Sequence, residues 1–80
     1  MNLMNALPRA PRALLFREEY AELRVQAERL HERIPFGAVT AFIAEGAKDA
    51  GDTPGSPDWK LRIAAKADAL LAADPADLDI

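Results

Sequence analysis

Between residues 13 and 34, apolar side chains recur at spacings of 3, 4, 3, 4, 3 and 4: Ala13, Phe16, Tyr20, Leu23, Ala27, Leu30 and Ile34. A period of 3.5 residues is that of an α-helix with one continuous apolar seam. Pro11 suits the first turn of a helix, where its missing amide proton is not needed, and Pro35 disfavours helical geometry at Ile34. The pattern therefore predicts one helix over about 11–33, flanked by Glu18, Glu19, Glu22, Arg24, Glu28, Arg29, Glu32 and Arg33 on its solvated side. Such a helix is about 33 Å long, more than two short partner helices would comfortably cover.

Two further helices are legible. Phe36, Val39, Phe42, Ile43, Ala47 and Ala50 share one side of a helix over about 36–50, which Gly51 ends as a C-cap. Gly37 and Gly46 weaken that helix by up to about 1 kcal/mol each relative to alanine, and Gly46, beside the Ile43 and Ala47 face, marks a close helix crossing. After the turn-forming stretch GDTPGSPD, Ser56 is placed as an N-cap, Pro57 as the first helical residue and Asp58 as an acid at the positive end of the helix dipole. The third helix, over about 57–73, gathers Trp59, Ile63, Ala67, Leu70 and Leu71 on one face, and Asp74 before Pro75 stops it. The expected fold is all-α, a small antiparallel three-helix bundle with one long heptad-patterned helix. It divides into an N-terminal arm (1–10), a three-helix domain (11–74) and an acidic C-terminal tail (75–80).

Of the forty apolar residues seventeen are alanine, so the core is thin and part of the apolar surface is open to completion by a second copy or a partner. There is no cysteine, which excludes disulfides and thiolate metal sites. No apolar run approaches the roughly 20 residues of a membrane span, and the opening residues lack the order of a secretory signal, so a cytoplasmic protein is expected. The net charge of −3 argues against a phosphate-binding surface, yet it is unevenly distributed. Residues 1–17 carry Arg9, Arg12 and Arg17 with no acid, and residues 67–80 carry Asp68, Asp74, Asp77 and Asp79 with no base.

Nothing in the sequence assembles a catalytic group, so no catalytic residue, cofactor or metal is expected. The one serine, Ser56, is explained by capping, and the Glu18, Glu19 and Glu22 cluster lies on a helix surface. Glu28 and His31 match a single Glu-x-x-His unit of carboxylate-bridged metal bundles, but a metal site needs further converging ligands. What stands out is apolar residues left outside the helix faces. Val25 falls opposite the seam, Leu14 and Leu15 lie off it, and Leu61 sits with Ala65 and Ala72 away from Trp59. Such strips mark contact surfaces.

The leading expectation is a non-enzymatic protein-binding module, an adaptor or inhibitor that occupies a surface of a larger bacterial complex, with a homodimer as one form. The candidate contact residues are Val25, Leu61, Asp74, Asp77, Asp79, Arg9 and Arg12. The alternative is a nucleic-acid-binding or DNA-packaging protein using Arg9, Arg12, Arg17 and the Lys60, Arg62 and Lys66 edge of the third helix. The apolar helix, loop and LRIAAKADALL segment resemble helix pairs of phage DNA-packaging small subunits. As a short, acidic, cysteine-free chain it also resembles phage-encoded inhibitors such as anti-CRISPR proteins, in genre and through no motif.

Overall fold

The computed structural model describes residues 2–73, which form five α-helices and one turn of 3-10 helix, with no strand among the described residues. In chain order these are α1 (Leu3–Ala6), α2 (Arg9–Leu15), the 3-10 turn (Glu18–Tyr20), α3 (Ala21–His31), α4 (Phe36–Ala50) and α5 (Pro57–Ala72). The single long helix expected over 11–33 is thus not formed. Helix α2 ends at Leu15, the Phe16 and Arg17 amides donate to the carbonyls of Ala13 and Leu14 in tightened turns, and Arg17 is extended at φ −71°, ψ 137°. From there the Arg17 guanidinium donates twice to the Glu19 carboxylate, at 3.1 and 3.2 Å, and lies 5.5 Å from the Tyr20 ring centroid.

Burial explains the break. A 33 Å helix would run almost the full 34 Å of the molecule's longest dimension, leaving its first turns without partners. Interrupting it lets α1 and α2 fold back, so that Leu3, Leu7 and Leu15 enter the core, while Ala13 and Phe16 of the expected seam stay exposed. The seam therefore holds from Tyr20 through Ile34 and is out of phase before it. Leu15, placed off the seam by its spacing, is fully buried, and Leu14 is half-buried against the core. The segment expected to be an arm is helical and packed: the Asn2 Oδ1 caps α1 by accepting from the Met4 amide at 2.9 Å.

Helices α3 and α5 run parallel, with α4 antiparallel between their ends. Tyr20 meets Trp59 at the start of both helices, edge to face with ring centroids 5.9 Å apart, and Arg29 meets Asp68 at 2.8 Å toward their far ends. Helix α4 crosses both at Gly46, as its glycine led one to expect. A Cβ there would stand 2.5 Å from Leu23 Cδ1 and 3.0 Å from Ile63 Cδ1, both on fully buried side chains. The same residue's carbonyl accepts the Trp59 indole N–H at 2.9 Å. One glycine thus sets the closeness of the crossing and satisfies the only polar atom of the largest core side chain.

Helices α4 and α5 keep the bounds read from the sequence to within a residue. Gly51 closes α4 at φ +55°, and the Ser56 Oγ accepts from the Trp59 amide at 3.4 Å, with Pro57 next to the cap. Between them Gly55, at φ +85°, lies so close to Glu19 that a Cβ would stand 3.1 Å from its carbonyl oxygen. The loop is seated on the 3-10 turn. Phe36, expected on the inner face of α4, is instead 40% exposed at its first position, beside the ring of His31. The four-residue link between His31 and Phe36 leaves the first turn of α4 beyond the end of α3. No helix among the described residues is long and apolar enough to cross a membrane.

Candidate functional site

Every buried side chain among the described residues is apolar, so all charge is on the surface. Two concavities organise that surface. The first lies between α2 and α4 and exists because α2 folds back. Leu7, Pro8, Pro11 and Leu14 form one wall and Thr40, Ile43, Ala44 and Ala47 the other, enclosing about 290 Å³. The prolines at 8 and 11 put rigid, apolar surface on one side of a short helix. Alanines at 44 and 47 keep the opposite wall low. Thr40 contributes the one side-chain oxygen, already donating to the Gly37 carbonyl at 2.9 Å. An apolar cavity of about 150 Å³ accepts a benzene ring, so this groove has room for two side chains of that size.

The second concavity is acidic. Glu18, Glu19, Ala21, Glu22 and Val25 line one side, and Pro54, Gly55 and Lys60 the other. Glu19 is held by Arg17, whose hydrogen bonds are the largest cause of a carboxyl pKa below the ordinary value. Neither Glu18 nor Glu22 has an ion-pair partner among the described residues; Glu22 accepts only from the Gln26 amide at 2.8 Å.

A depressed carboxylate stabilises the fold above its unfolded pKa, and that contribution is lost as the pH falls through the folded pKa. Arg17→Ala is therefore expected to raise the Glu19 pKa toward its ordinary value, as read by an NMR titration of its side-chain carboxyl. An unchanged midpoint would show that the Arg17 bridge does not persist in solution.

The expected contact residues divide among these surfaces. Val25 is 52% exposed on the rim of the acidic groove, and Leu61, beside Lys60 on α5, is 71% exposed. Each is directed to solvent from its own helix, Val25 from α3 and Leu61 from α5. Arg9 is exposed and Arg12 half-exposed on α2, neither in an ion pair within the described residues. Asp74, Asp77 and Asp79, with the acidic tail, lie outside the described residues. On α5, Arg62 is bound to Asp49 at 2.9 Å, and Lys66 shares a shallow depression with Glu45, Lys48 and Asp49, so the basic edge faces carboxylates of α4.

Glu28 and His31 line a depression with Asn2, Leu3 and Glu32, and the described residues hold no set of three or more His, Asp or Glu side chains placed to bind an ion. The groove between α2 and α4 was missed in the sequence. Its signal was present in Leu3 and Leu7, one helical turn apart behind a capping asparagine. No family model matches the chain, and neither the curated proteins nor the solved structures contain a significant match.

Proposed function

We propose that the protein is a non-enzymatic protein-binding module, a small adaptor or inhibitor that acts by occupying the surface of a larger complex. The observation that carries this reading is the groove between α2 and α4, eight residues long in its lining and apolar but for Thr40. At about 290 Å³ it falls at the lower edge of the roughly 300–1,000 Å³ of small-molecule sites, and its size suits apolar anchors projecting from another protein. The helices that build it are fixed in turn: Leu7 and Ile43 extend from the groove into the core. A rigid groove limits the ordering cost of association.

The nucleic-acid reading is the rival. It relies on Arg9, Arg12, Arg17 and the edge of α5, but Arg17 and Arg62 are engaged by Glu19 and Asp49. Of the remaining four cations, Lys60 lines the acidic groove and Lys66 shares a depression with Glu45 and Asp49, which leaves Arg9 and Arg12 as the two away from carboxylates and gives a shallow salt dependence and weak affinity for a duplex. Size exclusion with light scattering in the presence of a 20-base-pair duplex, at low and moderate salt, separates the two readings. Protein binding predicts that the duplex elutes alone at moderate salt, whereas a complex surviving at that salt would favour nucleic acid.

A further inference from the structure

Two strips of this surface match each other. Arg9, Arg12 and Phe16 follow one another at i, i+3 and i+7, so they share a side of α2 and its last turn. Phe16 is 64% exposed, and both arginines lack an ion-pair partner among the described residues. Glu18, Glu22 and Val25 follow at i, i+4 and i+7 and line the acidic groove together, again with both charges unpaired and the apolar residue half-exposed. Each strip spans seven residue steps, about 10 Å at α-helical rise for the first and about 12 Å for the second, which begins in the 3-10 turn. Each reads charge, charge, apolar in the same chain direction, with opposite sign.

We infer that the protein associates with a second copy of itself through these strips, Arg9, Arg12 and Phe16 of each copy seated on Glu18, Glu22 and Val25 of the other. Laid parallel, the strips bring Arg9 to Glu18, Arg12 to Glu22 and Phe16 to Val25. A two-fold axis bisecting the directions of α2 and α3 exchanges those directions, so one such contact implies its symmetry mate and the assembly closes as a dimer. Within the described residues neither Arg9 nor Arg12 pairs with Glu18 or Glu22 of its own chain. The pairing removes an exposed aromatic ring from water, and an aromatic side chain carries about 150–250 Å² of buriable area. The chain's charge of −3 opposes self-association at long range, which the local complementarity must overcome. Lys60, on the far wall, is the one base among the described residues that line the groove.

The test is light scattering of the full chain over about 1 µM to 1 mM, spanning the range of weak to moderate association. The expected mass rises from 8.7 kDa toward twice that value, and the rise is suppressed at 1 M salt, where the screening length is about 3 Å. Arg12→Glu and Glu22→Arg should each raise the dissociation constant at least about tenfold, and combining them should restore it to within about threefold, since the pair is re-formed with its signs exchanged. Phe16→Ser should also raise it about tenfold or more. All three positions are outside the core, and circular dichroism verifies the fold of each variant. Ala44→Glu, in the α2–α4 groove, should leave the dimer intact, which separates this inference from the proposed function. A monomer at every concentration overturns the inference. So does a dimer indifferent to both reversals, or a double variant no better than the singles.

Discussion

Replacing Trp59 with alanine is expected to leave the protein largely unfolded at ambient temperature. The side chain is fully buried, stands edge to face with Tyr20 and donates its indole N–H to the Gly46 carbonyl. Truncating a buried tryptophan costs about 3–5 kcal/mol, and the lost indole hydrogen bond adds to that. A core of this size supplies only about 3–5 kcal/mol of net stability, so the loss consumes all of it. Trp59→Phe keeps most of the packing and removes the hydrogen bond, while the Gly46 carbonyl keeps its bond within α4, for an expected hydrogen-bond cost of about 0.5–1.5 kcal/mol. Urea unfolding followed by far-UV circular dichroism distinguishes the two. A cooperative transition retained in the alanine variant at wild-type midpoint would show that Trp59 does not hold α3, α4 and α5 together.

Leu23→Ala and Leu30→Ala are each expected to cost about 2–5 kcal/mol, because both side chains are fully buried on the inner face of α3. Phe16→Ala, by contrast, should change stability by no more than about 0.5 kcal/mol, as at an ordinary surface position. These three residues belong to one seven-residue pattern, and an unbroken helix would bury them alike. Comparable losses at Phe16 and Leu23 would therefore restore the continuous helix and remove the groove that the break creates.

The sequence made α4 and α5 legible almost to the residue, since their boundaries rest on local chemistry: Gly51 after α4, and Ser56 and Pro57 at the start of α5. Gly46 was legible too, because a glycine beside an apolar face has few other uses inside a helix. The break at Phe16 and Arg17 was not. Ala13 and Phe16 continue the seam in register, and no proline or glycine interrupts it. What decided against the seam is tertiary: burying Leu3, Leu7 and Leu15 required α1 and α2 to turn back, and local periodicity carries no information about that alternative. For the same reason Val25 and Leu61, exposed by their own helical phase, were identified in advance, while the α2–α4 groove and the exposed Phe16 emerged only from the fold.

The central claim, that the protein works through the α2–α4 groove, is tested most directly by affinity capture quantified against a matched variant. Ala44 is exposed on the wall of the groove, so Ala44→Glu places a carboxylate there without touching the core. Ala72→Glu, at the exposed end of α5, adds the same charge elsewhere. Immobilised wild-type protein and the Ala72→Glu control are expected to retain the same protein at near-stoichiometric yield, and Ala44→Glu to lose it at least about tenfold, as for a charge buried without a partner. Equal retention by all three proteins, or no stoichiometric protein partner on any of them, would contradict the account.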